Sequence, residues 1–197
     1  MTLLMRHALR KHQLDSDPGW IGPKYQTGFQ QLSNYGERRA VIQQARNRGS
    51  VPPDVVVQLR RAIKAGALQV RQAEVAEAFL LDSGAIQLVL ADHSTPLESD
   101  CVVLATGFAP QRPGGRWLDA AVAALELPVA PCGYPIVDAT LRWTDGLYVM
   151  GPLAELEIGP VARNITGARQ AAERIVQATA ERMAQSCFYR AMGGRAV

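Results

Sequence analysis

A chain of 197 residues is long enough for one large domain, or for one domain with part of another. Its 48% hydrophobic and 20% charged residues are ordinary globular composition, which excludes a mainly disordered chain. No apolar run reaches the roughly 18 residues of a membrane span, and the apolar stretch behind Met1 is too short for a secretory signal.

Cys101, Cys132 and Cys187 are odd in number and widely spaced, without a CxxC. That argues against a disulfide framework or zinc site and for a reducing cytoplasm. The net charge of +3 is unevenly placed: residues 1–72 hold 12 Lys/Arg against 4 Asp/Glu, and the remainder 9 against 14. A solvated surface with local bias is the first reading of this asymmetry, and a site for an anionic ligand in the first third is the sharper one. Phosphates of a dinucleotide suit it better than nucleic acid, because no aromatic stacking series or helix-turn-helix pattern accompanies the charge.

Taken in order, Thr2–Met5 reads as a strand followed at once by Arg6, His7, Arg10 and Lys11. Residues 15–36, with four Gly and two Pro and no helical period, read as a long functional loop. Glu37–Arg48 and Pro52–Ala65 read as helices, the second with Val55, Val56, Leu59 and Ile63 on one stripe and Gly66 at its end. Leu68–Val70, Val75–Leu81 and Ile86–Leu90 form a β-meander with a turn at Asp82-Ser83-Gly84. Cys101–Leu104 is a continuous apolar run of the kind found in strands buried on both faces. A helix over Trp117–Leu127 and a buried strand over Leu147–Met150 follow. Residues 161–183 carry the strongest helical pattern, with Val161, Ile165, Ala168, Ala172, Ile175, Val176 and Met183 on the inward side. The tail from Ser186 has no period.

Three segments carry chemistry. Asp100–Pro110 runs a buried strand into Ala105-Thr106-Gly107, whose small residues let a ligand approach the backbone at the strand's carboxyl end. Asp145–Ile175 runs a strand to Gly151, a loop, and a long helix opened by Gly159-Pro160, whose free N–H groups suit an anion or carbonyl. Arg6 ends the first strand; in an NAD(P) domain an arginine at the end of the ribose-reading strand accommodates a 2′-phosphate and an acid reads a 2′-hydroxyl, and TLLMR resembles the first of these. His7, His12 and His93 form no metal or catalytic pattern, and neither does any Ser/His/Asp or cysteine set.

The order of these segments resembles flavoproteins with two dinucleotide-binding domains. It is similar to uncharacterised FAD/NAD(P)-binding proteins and, more distantly, to lysine and ornithine N-monooxygenases. The resemblance implies an α/β, Rossmann-like flavoprotein fold present in part. A partial NAD(P)-binding domain would span 1–110, the C-terminal segment of the FAD-binding domain 111–185, and a tail 186–197. It implies FAD as cofactor and NADP in preference to NAD, with Arg6, Ala105, Thr106, Gly107, Gly151, Gly159 and Pro160 facing them. Pro152 stands after Gly151 where many family members carry Asp.

No GxGxxG occurs among the 17 glycines. The resemblance therefore places the glycine loops upstream of Met1, read as an internal methionine, a misassigned start or the beginning of one half of a split protein. A partner chain or self-association would complete the fold. In such enzymes the cofactor carries the chemistry, so no side-chain catalyst is expected. The function implied is hydride transfer from NAD(P)H to FAD, and the alternative is a non-catalytic remnant or interaction module of the same fold.

Overall fold

The computed structural model describes residues 1–107 and 109–191, with the last six of these described by backbone only. In chain order it begins with β1 (Thr2–Met5), β2 (Arg10–Lys11), a 3-10 turn (Pro18–Trp20), α1 (Pro23–Gln31) and α2 (Tyr35–Gln44). Next come β3 (Ser50–Val51), α3 (Pro53–Lys64), β4 (Gln69–Gln72), β5 (Val75–Leu80), β6 (Ile86–Leu90) and β7 (Leu97–Ser99). The remainder is α4 (Gly115–Ala124), β8 (Arg142–Thr144), β9 (Leu147–Tyr148), a 3-10 turn (Gly151–Ala154), α5 (Glu155–Ile158), a 3-10 turn (Pro160–Arg163) and α6 (Ile165–Ala191).

The chain folds as two units. Unit 1 comprises Met1–Asp15 and Asn47–Ala109; unit 2 comprises Ser16–Arg46 and Pro110–Val197.

Unit 1 is a set of small sheets with α3. β1 and β4 pair in parallel, Thr2 opposite Gln69 through Met5 opposite Gln72, and β2 pairs with β3 in the same sense. β5, β6 and β7 form an antiparallel meander, whose first turn closes through Gly84 at φ +83°. The meander expected from sequence therefore loses its first run, Leu68–Val70, to a parallel partner from the start of the chain, and gains Leu97–Ser99. α3 begins on Pro53 at its first turn. It ends where Gly66 takes a left-handed φ of +70° and donates its N–H to the Ile63 carbonyl. Val56, Leu68 and Leu90 are this unit's buried apolar side chains.

The expectation of a buried strand at Cys101–Leu104 fails. No ladder forms there, and Val103 and Leu104 are 86% and 79% exposed. A strand buried on both faces needs hydrogen-bonded neighbours as well as apolar side chains. Among the described residues none lies beside this run.

Unit 2 holds the larger core. The segment expected to be a loop is helical over Pro23–Gln31, because Pro23 suits the first turn and Tyr25 and Phe29, one turn apart, face inward with Trp20. Phe29, Ile42, Leu118, Tyr134, Leu141, Leu156, Ile158 and Val161 are buried with them. β8 and β9 form a short hairpin in place of the longer buried strand expected at 147–150.

α6 corrects a second expectation. It begins at Ile165, capped by the Asn164 side chain, which accepts from the Gly167 N–H at 3.0 Å. Gly159-Pro160 opens only the preceding 3-10 turn. The expected stripe is split: Val161 is buried and Ile175 packs on the core, whereas Ile165 is 90% exposed and Val176 and Met183 are also exposed. The inner face is made of Gly167 and Ala171, with Ile175 beside them. α6 continues into the stretch expected to be an aperiodic tail, and residues 192–197 lie outside the described residues.

The small face is obligatory. A Cβ on Gly167 would lie 2.0 Å from the Val161 carbonyl oxygen, which is backbone and cannot swing aside. We predict that Gly167→Ala lowers stability by about 1–3 kcal/mol through overpacking. Gly28→Ala in α1 meets nothing within 4 Å and should raise stability by about 0.5–1 kcal/mol. Urea unfolding of both variants checks the pair, and equal effects would contradict this packing.

Candidate functional site

The Gly151–Arg163 segment wraps around one buried charge. Glu155, at the start of α5, is 0% exposed. One carboxylate oxygen accepts from Arg39 of α2, and the other accepts from Arg163 Nε at 2.8 Å. Arg163 Nη2 donates on to the Tyr134 hydroxyl at 3.0 Å. The Arg39 guanidinium lies 4.3 Å from the centre of the Tyr134 ring, and its Nη2 donates to the Pro110 carbonyl at 2.6 Å. Tyr134 donates to the same carbonyl at 3.3 Å.

One carboxylate thus gathers α2, the 110 segment, Tyr134 and the end of the 160–163 turn. Burial works against the Arg163 charge, but the Glu155 carboxylate and then Tyr134 outweigh it and raise the guanidinium above its ordinary value.

A second arginine repeats the pattern outside the first. Arg38 donates to the Leu156 carbonyl at 2.8 Å and to Glu157 at 3.1 Å, and its Nε reaches the Leu32 carbonyl at 2.8 Å. Its guanidinium faces the Phe29 and Tyr35 rings. Gln26 of α1 donates to the Ile158 carbonyl at 2.9 Å. Arg112, paired with Asp119, keeps two buried guanidinium nitrogens, Nε and Nη1, without a partner.

The residues singled out by sequence separate into two groups. Gly151 has φ +62° with open space where a side chain would stand. Gly159, at φ +86°, is buried, and a Cβ there would lie 3.4 Å from Phe29 and 3.5 Å from Gln26. Pro160 is buried beside it. The long helix starts at Ile165 with Asn164 as its cap, five residues beyond the position that the Gly-Pro signal marks.

Arg6, Ala105, Thr106 and Gly107 belong to unit 1. Arg6 is exposed directly after β1, and Gly107 takes φ +75°, where an added Cβ would meet nothing within 4 Å among the described residues. Phe108 lies outside the described residues.

Glu155, Arg39 and Arg163 escaped the sequence reading. An isolated Glu followed by Leu-Glu-Ile gives no sign that its partner lies 116 residues earlier.

Unit 2 also carries an open groove of about 540 Å³, lined by Val137, Asp138, Arg142, Trp143 and Asp145 among others, and none of the residues singled out by sequence lines it. Among the described residues no helix is long and apolar enough to cross a membrane, and no group of three or more His, Cys, Asp or Glu side chains could hold a metal ion.

The fold is mixed α/β and similar to part of a flavoprotein monooxygenase. No protein-family model matches the chain, and no curated protein does. Among solved structures it is similar to DfoA bound to FAD, the cadaverine monooxygenase of the desferrioxamine biosynthetic pathway from the fire blight pathogen Erwinia amylovora. The TM-score is 0.66 at 11% identity, over 89% of this chain and 44% of that one. The chain thus spans less than half the length of the monooxygenase it resembles.

Removing the Glu155 carboxylate would strand two guanidiniums in the interior. Glu155→Ala should cost about 3–5 kcal/mol, as for other broken buried pairs. Glu155→Gln, which keeps one acceptor, should lie between wild type and Ala. Denaturant midpoints on the three proteins check this order, and an unchanged midpoint for Ala would show that the network bears no load.

Proposed function

We propose that this chain forms the flavin-end wall and part of the nicotinamide-nucleotide domain of an FAD-dependent, monooxygenase-like NAD(P)H oxidoreductase. Its glycine loops would come from a further polypeptide segment or partner chain. The observation that carries this reading is the Gly151–Arg163 segment. It is clamped from beneath by Glu155, and it leads into a capped helix start in a chain whose fold resembles an FAD-bound monooxygenase.

The residues fit a flavin edge in a particular way. Gly151 offers an open backbone at a left-handed φ that a side chain would close. The Ile165 and Thr166 amides at the start of α6 present the positive end of a long helix. The Asn164 side chain satisfies the Gly167 amide one turn on. Gly159 and Pro160 support this surface from below, packed on Phe29. Bound FAD would supply the redox chemistry by accepting hydride from NAD(P)H. The protein's part is to hold backbone amides at the ring edge and to exclude water beneath them.

In unit 1, Arg6 at the end of β1 would read the 2′-phosphate, giving NADP preference over NAD. The burial of Gly159 and Pro160 favours a second reading, a non-catalytic module that keeps the outer wall without the cofactor.

The chain alone should hold FAD weakly or not at all, because only the flavin-end wall is present. Fluorescence titration with FAD checks this, before and after adding a polypeptide that carries the two glycine-loop units. Retention of FAD and its bleaching by NADPH only in the mixture is the expected result. A mixture that never retains FAD would favour the non-catalytic module.

In that mixture Arg6→Ala should raise the KM for NADPH by roughly ten- to hundredfold, the loss of one charge-assisted hydrogen bond, and leave that for NADH little changed. Equal small losses for both nucleotides would remove Arg6 from the site.

A further inference from the structure

Unit 1 gathers basic residues from two stretches that are 40 residues apart in sequence. β2 and β3 pair in parallel, Arg10 opposite Ser50 and Lys11 opposite Val51, with the His12 N–H reaching the Val51 carbonyl at 3.2 Å. This pairing lays the Arg6–Lys11 stretch alongside Asn47–Val51.

The two stretches meet at one close contact. A Cβ on Gly49 would stand 2.5 Å from His7 Nε2 and 2.6 Å from its Cε1, so the imidazole occupies the space that any other residue would fill. Gly49 also takes φ +64°, which only glycine adopts without strain. The ring is fixed at its other side as well. Its Nδ1 lies 2.9 Å from the Ala8 carbonyl, which can only accept, so Nδ1 carries the proton.

Arg6 and Arg48 are the residues that directly precede His7 and Gly49, one on each side of this contact. Arg6, Arg10, Lys11 and Arg48 are all exposed, and among the described residues none of the four forms an ion pair. The acidic residue nearest in the backbone pairing is Asp15, whose carbonyl accepts from the Asn47 N–H.

Four cations massed on two short segments repel one another, and an anion relieves that repulsion. A guanidinium presents a planar fork suited to a phosphate, and two of them from separate segments can grip one phosphate from two sides.

We propose that Arg48 is a second anion-binding residue, and that Arg6 and Arg48, aligned by the His7–Gly49 contact, form a two-segment site for a phosphate monoester. This rests on the reading of Arg6 in the proposed function and names the residue that would complete the site. His7 acts as a positioning residue: it wedges the two segments into register.

The test uses the full chain, titrated with inorganic phosphate, with 2′,5′-adenosine bisphosphate and with 5′-AMP, and followed by the amide shifts of His7 and Gly49. All four variants lie at exposed positions, and circular dichroism confirms that each is folded. The expected result is saturable shifts with phosphate and with the 2′,5′-bisphosphate, weakened on the order of tenfold by either Arg6→Ala or Arg48→Ala. Gly49→Ala, which displaces the ring, should weaken both ligands, and Lys64→Ala on α3 should change nothing.

Absence of saturable shifts overturns the site. Loss with Arg6→Ala but not Arg48→Ala also overturns it, because the anion would then be held by one segment. If phosphate binds through both arginines and the 2′,5′-bisphosphate binds no better than 5′-AMP, the phosphate site stands and the NADP preference fails.

Discussion

The buried carboxylate of Glu155 is the constraint on which unit 2 is arranged. A carboxyl group with no solvent contact must be satisfied entirely by protein, and here two guanidiniums from distant parts of the chain do so. Each brings a further partner. Arg39 ties in the Pro110 carbonyl and stacks on Tyr134, and Arg163 reaches the Tyr134 hydroxyl. The result is directional in a way that apolar packing is not. Leu156 and Ile158 would tolerate small shifts of α5, whereas a carboxylate shared between two forks accepts only one placement.

This explains why the loop after Gly151 keeps a defined shape with so little regular structure. α5 is four residues long, flanked by two 3-10 turns, and such elements are marginal in isolation. Arg38 reinforces the same segment from outside through the Leu156 carbonyl and Glu157, and Gln26 through the Ile158 carbonyl. The backbone of this segment is thus pinned from the α1–α2 side. Under the proposed function such pinning would matter, since ordering the segment at the moment of binding would cost affinity.

Much of the local structure was legible in the residues. Pro53 and Gly66 mark both ends of α3, Asp82-Ser83-Gly84 marks a real turn, and Thr2–Met5 is a strand ending at Arg6. The misses share a cause. Cys101–Leu104 has strand composition, but composition does not supply a ladder partner. Residues 15–36 hold enough glycine and proline to look like a loop, yet Pro23 falls at a first helical turn and Phe29 anchors the helix in the core. In α6 Ile165, Val176 and Met183 are exposed while the inner face begins with Gly167, which a close approach to the Val161 carbonyl demands. The candidate site followed the same division. Gly151 was visible as a glycine after a strand. Asn164 as the true helix cap was hidden by the stronger Gly-Pro signal, and Glu155 was hidden because its burial is decided by tertiary contact.

The interleaving of the two units bears on how the chain is made. α1 and α2 emerge from the ribosome early, but the Ile158 carbonyl that Gln26 binds lies 132 residues further on. The Leu156 carbonyl that Arg38 binds is 118 residues further on. Until then Phe29 and Ile42 have no core to enter. β1 needs only β4 to pair, whereas the helices between them in sequence must wait for most of the chain. Such long-separated contacts slow folding and leave apolar surface uncovered meanwhile. The nascent chain therefore passes through a stage in which β1 and β4 can pair while the helices between them remain unfinished, and that intermediate is where a chaperone would find its binding site.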